Sequence, residues 1–137
     1  MTNFTAEPGE TSLFVDAFTS ISVDDVAKAK EFYGTTLGLA TTGEEEGLAL
    51  KLPGGGKMFI YPKDNHVAAT FTVLNLQVKD IDAAVEDLTQ RGIAFESYTG
   101  DIATDEKGIY RGAEQGSGPN IAWFKDPAGN ILSVIED

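Results

Sequence analysis

The sequence predicts an α+β fold built from two βαβββ modules. Two observations carry this: an internal repeat, and strand patterns that recur after each copy of it. The segment ISVDDVAKAKEFYGTTLGL begins at Ile21 and LQVKDIDAAVEDLTQRGIAF at Leu76. Val23, Asp25, Val26, Ala29 and Glu31 match Val78, Asp80, Ile81, Ala84 and Glu86 at constant separation. A sequence that repeats itself is read as repeated architecture before any single motif is interpreted.

Each copy opens with a strand of alternating apolar residues, such as Phe71 and Val73, then Leu74, Leu76 and Val78. The Asp that follows stands at a helix N-cap, where its carboxylate accepts from free backbone N–H groups. Ile81, Ala84, Val85 and Leu88 then keep the i, i+3, i+4, i+7 spacing of an amphipathic helix. Gly38 and Gly92 are placed to end the two helices. Short strands follow in both copies. In the first they are Leu48 to Leu52 and Met58 to Tyr61, joined by PGGGK; in the second, Ile121 to Phe124 and Ile131 to Ile135, joined by DPAGN. The whole chain, 1–137, is one domain on this reading, with modules at 12–62 and 67–137. The stretch TGDIATDEKGIYRGAEQGSG makes 99–118 an inserted loop of the second module.

Composition narrows the partners. The chain has 137 residues and a formal net charge of -12, so nucleic acid and anionic membrane surfaces are repelled. It has no cysteine, which removes disulfides, thiolate nucleophiles and thiolate metal ligands together. No stretch approaches the ~20 apolar residues of a membrane span. The N-terminal MTNFTAEPGETS has neither a basic region nor an apolar run. The expectation is a cytoplasmic protein.

The strand-Asp-helix segment ending EFYGTTLGL, its repeat VKDIDAAVEDLTQRGI, and the terminal WFKDPAGNILSV resemble the vicinal oxygen chelate superfamily. That superfamily includes glyoxalase I, the extradiol dioxygenases and the bleomycin-resistance proteins. The resemblance spans Phe14 to Glu136. It implies paired βαβββ modules forming a curved mixed sheet around a cleft, commonly completed by dimerisation, with a divalent metal at the cleft centre in the enzymatic members. Carried over by motif, the four metal-ligand points fall on Phe18, Ile60, Val73 and Ser133, the last where metal-using relatives commonly place a Glu. A divalent ion needs several anionic or imidazole donors. One neutral hydroxyl does not supply them, so no metal and no other cofactor is expected.

Displaced ligands are the alternative. Glu136 lies an odd offset from Ser133 and so belongs to the opposite strand face. His66, the only histidine, sits in the linker between modules and is a candidate hydrogen-bonding or acid-base group at the cleft rim. Glu44, Glu45 and Glu46 read as a solvated loop. Asp105, Glu106, Lys107, Tyr110 and Arg111 suit either a lid, with Lys107 or Arg111 meeting an anionic ligand, or a solvated hairpin or dimer contact. The expected ligand-binding set is Phe18, Ser20, Ile60, Val73, Asn75, Tyr110, Trp123 and Ser133: an apolar floor with uncharged polar groups and no evident general base. Two function classes follow. The first is a metal-free, bleomycin-resistance-like homodimer that encloses an apolar or aromatic small molecule. The second is a glyoxalase- or dioxygenase-like lyase or isomerase with displaced ligands.

Overall fold

The computed structural model describes residues 13–44 and 46–136. The N-terminal segment 1–12 and Glu45 of the acidic run lie outside the described residues. The first module runs β1 (Thr19–Val23), α1 (Val26–Lys30), β2 (Ala40–Glu44), β3 (Gly47–Lys51) and β4 (Lys57–Pro62). Helix α1 continues into a wider π-helical turn over Glu31–Thr36. The second module runs β5 (Thr72–Val78), α2 (Ile81–Gln90), β6 (Ile109–Arg111), α3 (Gly112–Gln115), β7 (Asn120–Lys125) and β8 (Ile131–Glu136). Each sheet has four strands, ordered β1-β4-β3-β2 and β5-β8-β7-β6. The outer pairs β1–β4 and β5–β8 are parallel and the others antiparallel. The duplicated βαβββ frame is therefore the architecture of the protein.

The local chemistry accounts for it. Asp25 and Asp80 are extended N-cap residues whose carboxylates accept from Lys28 N and Ala83 N. Gly38 and Gly92 take left-handed φ values of 76° and 96° just past the helices, a conformation costly for any residue with a Cβ. Ile21 and Val23 on one sheet, and Leu132, Val134 and Phe124 on the other, bury against Val26, Ala29, Ile81 and Val85 of the helices. Alternation then turns the intervening residues to the faces away from the helices: Ser20 and Ser22 in the first sheet, Asn75, Gln77, Ser133 and Ile135 in the second.

Three elements differ from the sequence reading. The stretch expected as an inserted loop contains β6 and α3, so it completes the second sheet. The β5–β8 register slips between Thr72 and Leu74, which leaves Val73 in a bulge and breaks its parity with Asn75. Ile60 pairs with Ile21 and Leu48 and is fully buried in the core, on the helix side of its sheet. The residue opposite Ser20, as Ser133 is opposite Asn75, is Phe59. Phe59 is thus the first-module counterpart of Ser133.

Candidate functional site

Four of the residues singled out in the sequence come together on the second sheet. Strand pairing sets Asn75 beside Ser133 and Ser133 beside Trp123, so a row crosses β5, β8 and β7 on the face turned away from α2. Tyr110 of β6 extends it, its ring 6.3 Å from that of Trp123. The row is tied down by hydrogen bonds. Ser133 Oγ donates to Asn75 Oδ1 at 2.6 Å, Trp123 Nε1 donates to Thr72 Oγ1 at 3.2 Å, and the Tyr110 hydroxyl shares a 2.7 Å bond with Ser117 Oγ. Tyr98, which the sequence did not mark, stands edge-on to Trp123 with centroids 5.3 Å apart.

Beside this row lies a groove of about 600 Å³ between the turn at Leu52–Gly54 and strand β5, lined by Asn75, Gln77 and Ile135 together with Leu74 and Leu76. No charged side chain among the described residues lines it. Its volume is in the range of small-molecule sites. Ser20 and Val73 instead line a pocket of about 270 Å³ between β1 and the segment that leads into β5. Phe18 precedes β1 and is 66% exposed. A further groove of about 610 Å³ lies behind α2, between Glu86, Phe95 and Glu106. Of the sequence candidates only Glu106 and Lys107 of the insertion line that one, and none of the eight residues of the expected ligand-binding set does.

The four equivalent points are thus Phe18, Phe59, Val73 and Ser133, two aromatic rings, an aliphatic side chain and a hydroxyl already bonded to an amide. They do not fit a divalent metal, which takes anionic, imidazole or several oxygen donors. Among the described residues no three His, Asp or Glu side chains are grouped to hold one elsewhere. The displaced-ligand candidates are committed to other partners. Glu136 faces α2, where Oε2 accepts from Ile81 N and Oε1 from Asn120 Nδ2, so it caps the helix. His66 bridges the modules: Nε2 bonds the Ala128 carbonyl at 2.9 Å and Nδ1 the Ser22 hydroxyl at 2.7 Å.

The cations expected on a lid lie behind the second sheet. Arg111 donates to both carboxylate oxygens of Asp82 on α2, at 3.0 and 2.7 Å, and to Asp105 at 3.0 Å; Lys107 reaches Asp82 at 3.2 Å. The hydrogen bonds from Arg111, assisted by those from Lys107 and by both positive charges, hold the Asp82 carboxyl well below the ordinary carboxylate range. Those charges serve the α2 side and do not meet the row.

Comparison with known proteins agrees with this geometry. Residues 15–134 match the model of the Glyoxalase/Bleomycin resistance protein/Dioxygenase superfamily, and the chain belongs to that superfamily. No curated protein matches it. Among solved structures, a superfamily member from Sphaerobacter thermophilus shares 24% identity with a TM-score of 0.64, covering 92% of this chain and 100% of its own. TnmS3, an antibiotic binding protein from a Streptomyces species, shares 20% identity with a TM-score of 0.65, over 91% of this chain and 98% of its own. A glyoxalase family protein from Enterococcus faecalis shares 22% identity with a TM-score of 0.64, over 90% and 98%. At these identities the likeness is one of fold.

Proposed function

We propose that the protein binds an apolar or aromatic small molecule without a metal, in the groove beside the Asn75, Ser133, Trp123 and Tyr110 row. The observation that carries this is the composition of the row and groove: large rings, aliphatic walls and uncharged amides, with no acid, base or nucleophile among the described residues left uncommitted beside them. TnmS3, similar in fold, is itself an antibiotic binding protein, which supports binding over chemistry. We further propose that two copies complete the cleft. Phe18, Val67 and Phe71 are 66%, 84% and 67% exposed around the start of β1 and β5, and two rings and a valine this accessible favour a covering surface.

Trp123 is the only tryptophan in the chain, so its emission reports on the row. A thermal-shift screen of aromatic compounds, followed by titration of Trp123 emission, is expected to find ligands that raise the melting temperature and change the emission together. Stabilising ligands that leave Trp123 emission unmoved would place binding elsewhere. Elemental analysis after dialysis is expected to find no stoichiometric divalent ion. Sedimentation at micromolar concentration is expected to give a dimer, and a stable monomer would remove the second copy from the site. No described helix is long and apolar enough to cross a membrane.

A further inference from the structure

We infer that the site selects neutral apolar ligands carrying a hydrogen-bond acceptor, a carbonyl foremost, and that Ser133 sets this preference as a positioning residue. The inference rests on the cleft reading above and adds the ligand's chemistry.

Ser133 is fully buried and donates its hydroxyl proton to Asn75 Oδ1. Asn75 is exposed and lines the groove. A carboxamide turned by half a rotation would set its NH₂ against Ser133 Oγ, which can accept, but would leave the buried hydroxyl proton with no other acceptor among the described residues. The amide is therefore held in one orientation, and its two N–H groups have no partner among the described residues. The other polar side chains of the row are already bonded. Trp123 Nε1–H is spent on Thr72, and the Tyr110 hydroxyl on Ser117. The Gln77 amide is exposed, forms no bond with a described residue and is free to present either end. The fixed polar side chain of the groove is therefore a donor.

A ligand that buries itself against Asn75 without an acceptor leaves those N–H groups dehydrated and unpaired, so the penalty falls on hydrocarbons. An anionic acceptor would satisfy them, but it must enter an uncharged groove on a chain of net charge -12. A neutral carbonyl answers both conditions.

Matched probes test this directly: 9-fluorenone against fluorene, and xanthone against xanthene, with affinity from calorimetric titration and location from Trp123 emission. The ketone of each pair is expected to bind about three- to tenfold more tightly, the worth of one hydrogen bond. Asn75→Asp keeps an acceptor for Ser133 while removing the N–H donors, and is expected to abolish the preference. Ser133→Ala frees the amide and is expected to narrow the preference with the melting temperature little changed, which a purely structural role would not do. Equal affinity within both pairs in the parent chain would overturn the inference, as would a full preference retained in Ser133→Ala. If no probe binds with a change in Trp123 emission, the cleft reading itself fails and this inference falls with it.

Discussion

The duplicated frame has two equivalent module junctions, and they are built differently. The turn before β8, Asp126 to Asn130, and the turn before β4, Leu52 to Gly56, share one backbone. Asp126 N bonds Asn130 O at 2.9 Å and Gly129 N bonds Asp126 O at 3.0 Å; Leu52 N bonds Gly56 O at 2.8 Å and Gly55 N bonds Leu52 O at 3.1 Å. The side chains differ. At the first junction the Asp126 carboxylate accepts from the Tyr33 hydroxyl at 2.7 Å, Ala128 N and Asn130 N at 2.9 Å, and Asn130 Nδ2 at 3.1 Å. Asn130 Nδ2 also donates to the Ser22 carbonyl, and His66 closes the same corner. At the second junction Leu52 stands for Asp126, Gly56 for Asn130 and, one repeat on from Tyr33, Leu88. The first junction retains a pocket of about 270 Å³, the second a groove of about 600 Å³. A polar lock that fixes the modules at one corner leaves the other free to stay apolar and open, and that is where the proposed ligand groove lies.

The largest test removes the lock. Asp126→Ala strips the acceptor from several buried donors, each costly to leave unpaired, and is expected to destabilise by about 3 to 5 kcal/mol in urea unfolding. The matching change at the open junction, Leu52→Ala, trims a partly buried side chain and is expected to cost about 1 to 2 kcal/mol. Similar costs for the two would mean that the junctions differ in appearance and not in energy.

This asymmetry was only half legible in the sequence. The repeat, the N-cap aspartates and the glycine stops are local signals, and they yielded the two-module frame. EFYG and DPAGN stood out as motifs, yet the bond between Tyr33 and Asp126 joins residues far apart in the chain, and no local pattern encodes it. The site suffered from register. Assigning the counterpart of Ser133 to Ile60 instead of Phe59 is an error of one residue, and the period-2 alternation of a strand turns that into the wrong face. Val73 was misplaced by a bulge that its apolar neighbours do not announce. Lys107 and Arg111 stay open in the sequence between a lid contact and a solvated hairpin or dimer contact, because sequence shows their charge and not their partner, Asp82.

A smaller effect sharpens the description of the lock. Tyr33→Phe leaves Asp126 its backbone and Asn130 donors, so the expected cost is about 1 to 2 kcal/mol at pH 7. Burial, then the charge of Asp126, then the hydrogen bond to it push the Tyr33 phenol above its ordinary pKa of 10.0. A group whose pKa is raised by folding contributes stability fully below the unfolded value and loses it as pH rises. Above pH ~10 the parent is therefore expected to lose about 1.4 kcal/mol per pH unit from this residue alone. Tyr61, Tyr98 and Tyr110 are common to both chains, so the difference between parent and Tyr33→Phe isolates it. Parallel stability curves between pH 9 and 11 would show that Tyr33 is not the lock's alkaline limit.

The smallest effect tests whether the insertion belongs behind the second sheet. Asp82→Asn breaks its ion pairs with Arg111 and Lys107, but Asp82 is well exposed, so solvent and salt screen the interaction and the expected cost at pH 7 is about 0.5 to 1 kcal/mol. Because folding lowers the pKa of Asp82 from an ordinary 3.8, its contribution is present above that value and fades as pH falls through the folded one. The gap between parent and Asp82→Asn is therefore expected to narrow from pH 5 downward, and also in 0.5 M salt. Probe affinity supplies the sharper reading. With Arg111 and Lys107 held on the α2 side, releasing them should leave ligand binding at the Trp123 row unchanged. A marked change in affinity in Asp82→Asn would mean that the 99–118 segment does reach across the groove, and that the open junction is covered by a lid anchored on α2.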